Sequence, residues 1–348
     1  MKIADFEIGK DNKVFVIAEI SANHNHNFDI AVNTIKAAKE CGADAVKLQT
    51  YTPDTITIDC DNEFFQIKQG TIWDGTTLYE LYKSAYTPWE WQPKLKKVAD
   101  DLGLICFSSP FDKSAVDFLE KMKVPAYKIA SFEIVDIPLI EYIARKGKPV
   151  IISTGIALEN EIADAVEACR KQNNNDIALL KCTSQYPAPI EDANLGDINF
   201  LKEKFKTVVG LSDHTEGILV PIAAAAMGAR IIEKHFILDK KIGGPDSAFS
   251  IEPKEFKEMV DNIRQVEKAL NETGFTLNEK IKKSRTFARS LFVVKDIKAG
   301  EIFTEENVRS IRPSNGLPPK YLNKVIGKKA KVNIKKGTPL RTDIITDL

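Results

Sequence analysis

One unit recurs through the first 280 residues: a short, almost wholly apolar, β-branched run, a polar residue or two, then a stretch with helical spacing. The runs are VFVIAEI (14–20), DAVKLQT (44–50), LICFSSP (104–110), AYKIAS (126–131), PVIISTG (149–155), IALLKCT (177–183), TVVGLSD (207–213) and ARIIEKHF (229–236). Helical spacing fills the gaps at 30–41, 88–102, 113–122, 159–171 and 219–227, with a last long stretch at 253–269. Near-continuous apolar strands alternating with helices call for parallel pairing with both sheet faces covered. Eight such units predict a closed (β/α)8 TIM barrel, which usually takes about 250 residues. An open, doubly wound sheet is the alternative, but no G-x-G-x-x-G follows the first run.

The barrel accounts for 1–280 of 348 residues, and 285–348 is left for a small C-terminal domain. Hydrophobic content of 43% and charged content of 28% belong to a soluble chain with a sizeable core. The start, MKIADFEIGKDNK, carries charges where a signal peptide would be apolar, and no apolar run reaches membrane-span length. No membrane association is expected. Five scattered cysteines without a C-x-x-C point to reduced, mostly buried thiols and a cytoplasmic compartment.

In such barrels the site is built at the C-terminal ends of the strands. Here each strand ends on a group that can charge or hydrogen-bond: Glu19; Lys47 and Gln49; Ser108 and Ser109; Lys128, Ser131 and Glu133. Ser153 and Thr154 follow, then Lys181 and Thr183, then Ser212, Asp213 and His214, and last Glu233, Lys234 and His235. Singly, a serine can cap a helix and a lysine can snorkel. Together, eight such ends describe one polar mouth. Lys47 and Lys128 interrupt apolar strands, which is costly unless an anion meets them. With Ser131, Ser153 and Ser212 they suit a small phosphorylated or carboxylated ligand, and Glu19 and Glu133 can act as acid or base beside it.

Two of only four histidines, His214 and His235, end the seventh and eighth strands. Imidazoles on adjacent strands can share a divalent metal and leave positions open for water and substrate. A lone histidine in a core needs no ligand; a pair at neighbouring strand ends points to the metal. His24, in SANHNHN, is a further candidate, whereas His26 reads as loop. Asp213 has two readings, orienting an imidazole or starting the next turn.

The tail differs in charge. From Arg285 onward there are 14 Lys+Arg and 6 Asp+Glu, a net of +8, so the rest of this neutral chain carries −8. The basic face either is simply solvated, docks on the acidic body, or helps hold an anionic ligand. No aromatic residues interleave with it as nucleic-acid binding would ask. DIKAGEIFTEENV (296–308) recurs loosely as NIKKGTPLRTDII (333–345), a duplicated turn-and-strand unit, with the Pro- and Gly-rich RPSNGLPP between the copies.

The motifs AEISANHN, KLQT, FSSPF, AYKIASFE, ISTG, KCTSQYPAP, GLSDHT, EKHF and GGPDSAFS, in this order, resemble the sialic acid synthase family. KDIKAGE and RPSNGL resemble the antifreeze-like (SAF) domain that its members carry, and the likeness spans roughly Val14 to Ile345. The resemblance implies condensation of phosphoenolpyruvate with an N-acylated amino sugar and water, giving a nine-carbon 2-keto acid and phosphate. TIWDGTTLYELYKSAYTPWEWQ (71–92) is most similar to the branch that makes pseudaminic acid from 2,4-diacetamido-2,4,6-trideoxy-altrose. The N-acetylneuraminate and legionaminate branches are the alternatives.

Carried over residue by residue, the resemblance implies metal ligands at His214 and His235, for Mn2+ ahead of Mg2+ or Co2+. It implies phosphoenolpyruvate contacts at Lys47, Lys128, Ser131, Ser153 and Ser212, and an active-site carboxylate at Glu19. Sugar-facing groups would be Gln49, Glu133, Tyr186 and Asp246. Arg312 matches a family arginine that reaches the barrel mouth of a neighbouring subunit, which implies a domain-swapped homodimer. One departure is Asn25-His26-Asn27, where the family has glycine soon after its Asn-His pair. Two other classes compete: a metal-dependent aldolase, and a binding protein without catalysis.

Overall fold

The computed structural model describes every residue except 10–11, 271–273, 275 and 348. It divides into two compact units, Met1–Glu272 and Thr273–Leu348. Sequence spacing puts the division at 280–285; in the structure the helix α10 (Glu279–Arg285) belongs to the second unit.

The first unit is a closed eight-stranded barrel. Its strands are β1 (Phe15–Glu19), β2 (Ala45–Thr50), β3 (Ile105–Pro110), β4 (Tyr127–Ile129), β5 (Val150–Ser153), β6 (Ile177–Cys182), β7 (Val208–Asp213) and β8 (Ile231–His235). Each pairs in parallel with the next, and β8 closes on β1. Parallel pairing leaves no strand face to water, which is why the runs are apolar at consecutive positions. Gly210 sits where β7 and β8 come close: a Cβ there would lie 2.3 Å from the Ile231 carbonyl oxygen.

The connecting helices are α1 (Phe28–Glu40), α2 (Leu78–Ala85), α3 (Gln92–Asp101), α4 (Lys113–Lys121), α5 (Ile137–Ala144), α6 (Glu159–Lys171), α7 (Gly196–Phe205), α8 (Leu219–Ala226) and α9 (Pro253–Ala269). Short polar residues start four of them, at Asn27, Thr77, Asp112 and Asp136. The Asn27 side chain accepts from the backbone N–H of Asp29 and Ile30, and Asp112 does the same for Ser114 and Ala115. The β2–α3 connection is long. It holds one helical turn at Pro53–Ile56, a loop through Trp73, and α2. At the opposite end of the barrel the hairpin of Lys2–Ile3 with Phe6–Glu7 packs Phe6 on Phe15, ring centroids 4.9 Å apart. The C-terminal strand ends are therefore the end left for chemistry.

The second unit has its own core, including Leu291, Val293, Ile297, Phe303, Val308, Ile334, Leu340 and Ile345. Strands β9 (Ser290–Val293) and β10 (Val308–Ile311) pair antiparallel. The duplicated segments pair with each other at equivalent positions. Ile297 and Ile334 exchange both backbone hydrogen bonds at 2.8 Å. Asp296 Oδ1 accepts from Lys336 N, and its counterpart Asn333 Oδ1 accepts from Ala299 N, both at 2.8 Å. Gly300 and Gly337 occupy matching left-handed turns at φ +84° and +89°.

Candidate active site

Alternation along the strands decides which strand-end residues face the lumen. On β7 and its end these are Ser212 and His214; on β8, Glu233 and His235; on β1 and β2, Glu19, Lys47 and Gln49. They meet in one buried network. Lys47 Nζ lies 2.9 Å from Glu19 Oε2 and 2.9 Å from Glu233 Oε1. Lys128 Nζ donates to Ser153 Oγ at 2.6 Å and lies 3.9 Å from Glu233 Oε1. Ser212 Oγ donates to the same Glu233 oxygen at 3.3 Å, and Gln49 Nε2 donates to Glu19 Oε1 at 3.2 Å.

The anion that two lysines demanded is thus partly supplied by the chain itself, through Glu19 and Glu233. Burial lowers the Lys128 ammonium to about 8, with Glu233 pulling the other way. Burial opposes a charge on Glu233, yet Lys128 and Lys47 hold its carboxyl below the ordinary range. Burial raises Glu19 to about 7 against the pull of Lys47. Glu133 also reaches about 7, raised by burial, with Lys128 working to lower it. The Glu133 residue keeps some exposed surface, but its Oε2 is shut away from solvent and has no hydrogen-bond partner. The shift follows that oxygen rather than the residue's average exposure.

Ser131 Oγ sits 2.6 Å from Ser184 Oγ and accepts from the Ile156 backbone N–H at 3.2 Å. Gly155 makes room for these hydroxyls: a Cβ on it would fall 2.1 Å from Ser184 Oγ and 2.6 Å from Ser131 Oγ.

His214 and His235 face each other with ring centroids 5.2 Å apart. His214 Nδ1 is 2.9 Å from the Thr183 carbonyl oxygen, an acceptor only, so Nδ1 carries a proton and Nε2 is the nitrogen left for a metal. His235 Nδ1 is buried without a partner, and burial followed by His214 pushes this imidazole toward its neutral form. Burial opposes a charge on His214, but Cys182, with Sγ 3.8 Å from Nδ1, outweighs it and raises this imidazole. Two adjacent imidazoles with unclaimed nitrogens fit a divalent metal. Among the described residues no group of three His, Cys, Asp or Glu is placed to hold one. Remaining positions would fall to water or substrate, as in an open catalytic site rather than a closed structural one.

A cavity of about 620 Å³ opens above these groups. Gln49, Ser131, Glu133, Tyr186, His235 and Asp246 line its polar side. Ile56, Ile67, Trp73, Leu81, Tyr82 and Phe111 line the other, most of them from the long β2–α3 connection. Trp73 Nε1 donates to the Pro245 carbonyl at 2.9 Å and its ring packs on Tyr186, which in turn lies 4.5 Å from the His214 ring. Asp246 accepts from Ser21 Oγ and from the Ala22 backbone N–H.

The barrel therefore brings together twelve of the thirteen residues singled out in the sequence: Glu19, Lys47, Gln49, Lys128, Ser131, Glu133, Ser153, Tyr186, Ser212, His214, His235 and Asp246. Arg312 stands in the second unit, exposed, just after β10. His24 is buried away from the cavity lining, holding Thr87 Oγ1 through Nε2 at 2.9 Å and accepting from His26 N through Nδ1. Asn25 and His26 take φ of +43° and +51°, the left-handed turn that glycine would make without strain. Sequence reasoning named Glu233 only as a strand end, with no role, and did not single out Ser184 or Trp73. The place of Glu233 in the site was findable, because it shares the lumen-facing parity of His235.

Models of known families match this chain along most of its length. The NeuB family matches residues 34–274, and the SAF domain matches residues 288–345. The chain belongs to the NeuB family. Among relatives, this NeuB-family chain is 53% identical over 341 residues to a pseudaminic acid synthase of Campylobacter jejuni, covering 98% of each. It is 51% identical to a pseudaminic acid synthase of Helicobacter pylori, covering 95% of this chain and 97% of the relative. Identity to an N,N'-diacetyllegionaminic acid synthase of Legionella pneumophila is 35%. A solved N-acetylneuraminic acid synthetase from Leptospira borgpetersenii, in complex with citrate, superposes with a TM-score of 0.73 at 32% identity, covering 82% of this chain and 94% of that one.

Proposed function

We propose that this NeuB-family chain is a pseudaminic acid synthase. It joins phosphoenolpyruvate, 2,4-diacetamido-2,4,6-trideoxy-altrose and water into pseudaminic acid, and releases inorganic phosphate. The observation that carries the reading is the end-to-end likeness, 53% identical, to the C. jejuni pseudaminic acid synthase. The cavity agrees with it: Gln49 and Ser131 lie on its polar side, Gln49 bonded to the Glu19 that meets Lys47, and the other side is an apolar wall for acetyl and methyl groups. No helix is long and apolar enough to cross a membrane among the described residues.

The reaction forms one C–C bond, from C3 of phosphoenolpyruvate to the aldehyde carbon of the open-chain sugar. Water then adds at C2, and the C2–O bond to phosphate breaks. Lys47 and Lys128 offset the charges of phosphate and carboxylate and hold the three-carbon unit at the lumen end of the strands. Ser131, Ser153 and Ser212 fix its oxygens. Glu19 and Glu133, each near 7, are poised to hold or give up a proton close to neutrality. Glu133 lies on the cavity wall and serves the sugar's developing hydroxyl; Glu19, against Lys47, serves the attacking water or the cationic character at C2.

A divalent metal, Mn2+ before Mg2+ or Co2+, belongs to this reading. His214 and His235 would hold it, and when bound it supplies Lewis acidity toward the aldehyde oxygen. A homodimer in which Arg312 of one copy serves the other's barrel is also part of it. Its support is the family resemblance at RPSNGL and the opposite net charges of tail and body.

A panel of acceptor sugars, offered with phosphoenolpyruvate and Mn2+, tests the proposal. Phosphate release should require phosphoenolpyruvate and be fastest with the altrose derivative. Faster turnover of N-acetylmannosamine would refute the acceptor, and equal turnover of pyruvate would mark an aldolase instead.

A further inference from the structure

Behind the two lumen-facing histidines stands a second buried pair, one residue back on each strand. Asp213 precedes His214, Lys234 precedes His235, and the strand register sets Lys234 directly beside Asp213. Lys234 Nζ lies 2.5 Å from Asp213 Oδ2 and also donates to the Thr215 carbonyl. Thr215 closes the ring: its Oγ1 donates to Asp213 Oδ1 at 2.9 Å and its backbone N–H to the same oxygen at 3.2 Å. Lys234 is fully buried and Asp213 is 3% exposed. Both point away from the lumen, because strand neighbours alternate faces.

Packing alone does not ask for charges there. The outward positions of β1 and β2 near the same end, Ala18 and Leu48, are apolar and buried. A buried ion pair gives little net stability over apolar residues of similar volume. The contacts have a direction, however. One ammonium, on the residue next to His235, grips the residue before His214 and the carbonyl of the residue after it. His214 thus hangs between two fixed points, both tied to the neighbour of His235.

We propose that Asp213, Lys234 and Thr215 form a clamp that sets the separation of the two imidazoles. Asp213 and Lys234 are then positioning residues for the metal pair, and the inference rests on the metal reading above. A group that orients ligands without touching the metal typically changes affinity by about 10- to 100-fold when replaced.

The test is Mn2+ binding, by titration calorimetry or by the electron paramagnetic resonance of free Mn2+, on the folded full-length chain. The double variant Asp213→Leu/Lys234→Met removes both charges together and so avoids stranding one. Thr215→Val leaves the ion pair in place and removes only the hydroxyl that aims Asp213, so it remains informative if the double variant does not fold. The double variant should bind Mn2+ about 10- to 100-fold more weakly, and Thr215→Val should weaken binding by less. In both, kcat should fall more than the KM for phosphoenolpyruvate rises. Affinity equal to that of the unsubstituted chain, in whichever variants fold, overturns the clamp alone. No Mn2+ binding by the unsubstituted chain overturns the metal reading, and the clamp with it.

Discussion

Glu133→Gln isolates the energy stored in one buried carboxyl. In the folded chain burial lifts this group from 4.5 to about 7. Between those values the folded state keeps a proton that the unfolded chain has released, so stability falls as pH rises through the window. It is constant below the lower value and again above the higher one. A shift of about 2.5 units corresponds to roughly 3 kcal/mol at about 1.36 kcal/mol per unit. Glutamine has nearly the same shape and does not titrate. Relative to the parent, the variant should therefore gain roughly 3 kcal/mol of stability between about pH 4.5 and about pH 8.5. Any penalty for its unpaired amide is the same at both pH values and drops out of the comparison. Urea unfolding followed by tryptophan fluorescence is a suitable assay, because Trp73, Trp89 and Trp91 all belong to the barrel unit. A gap between parent and variant that does not change with pH refutes the reasoning. Activity should move the opposite way, with kcat reduced by about 10²- to 10⁴-fold if Glu133 transfers a proton.

Other substitutions probe separate parts of the site. Lys47→Met strands Glu19 and Glu233 without their shared ammonium and should cost about 3–5 kcal/mol in the same unfolding assay. Gly155→Ala drives a methyl into the Ser131–Ser184 hydroxyl pair. Both oxygens can rotate aside, so the melting temperature should change little, by an amount equivalent to about 1 kcal/mol, while the KM for phosphoenolpyruvate rises. Trp73→Ala removes one hydrogen bond and the aromatic packing over Tyr186, and should raise the KM for the acceptor by at least about tenfold with that for phosphoenolpyruvate unchanged. Dialysis against a chelator should stop turnover, and added Mn2+ should restore it in the parent but not in His235→Ala.

The barrel was legible because all eight strands are buried on both faces, and burial leaves apolar runs that no loop mimics. α5 is harder to see: IPLIEYIA is apolar almost all round, so its helical period is weak. α2 hides in a connection whose other residues follow no period. Within the site, residue types at strand ends identified the mouth, but their partners required alternation as well. Lys47 and Lys128 looked as though they awaited a ligand anion, and the chain already brings Glu233 between them. Asp213 read either as an imidazole's partner or as the start of a turn. Counting faces from Ser212 would have sent it outward, where it meets Lys234. The apolar cavity wall was beyond sequence reasoning, since Trp73 is held there by its bond to Pro245, 172 positions away, and by packing on Tyr186 and Phe249.

The pairing of Ile297 with Ile334 makes the second unit a dimer contained within one chain. Each thirteen-residue segment is the other's subunit, and the matched side chains Phe303 and Leu340, or Val308 and Ile345, are its interface. Such a unit has no dispensable half. Ending the chain before Asn333 would take away a binding partner rather than a tail, and would leave 296–308 with a hydrophobic face and nothing to cover it.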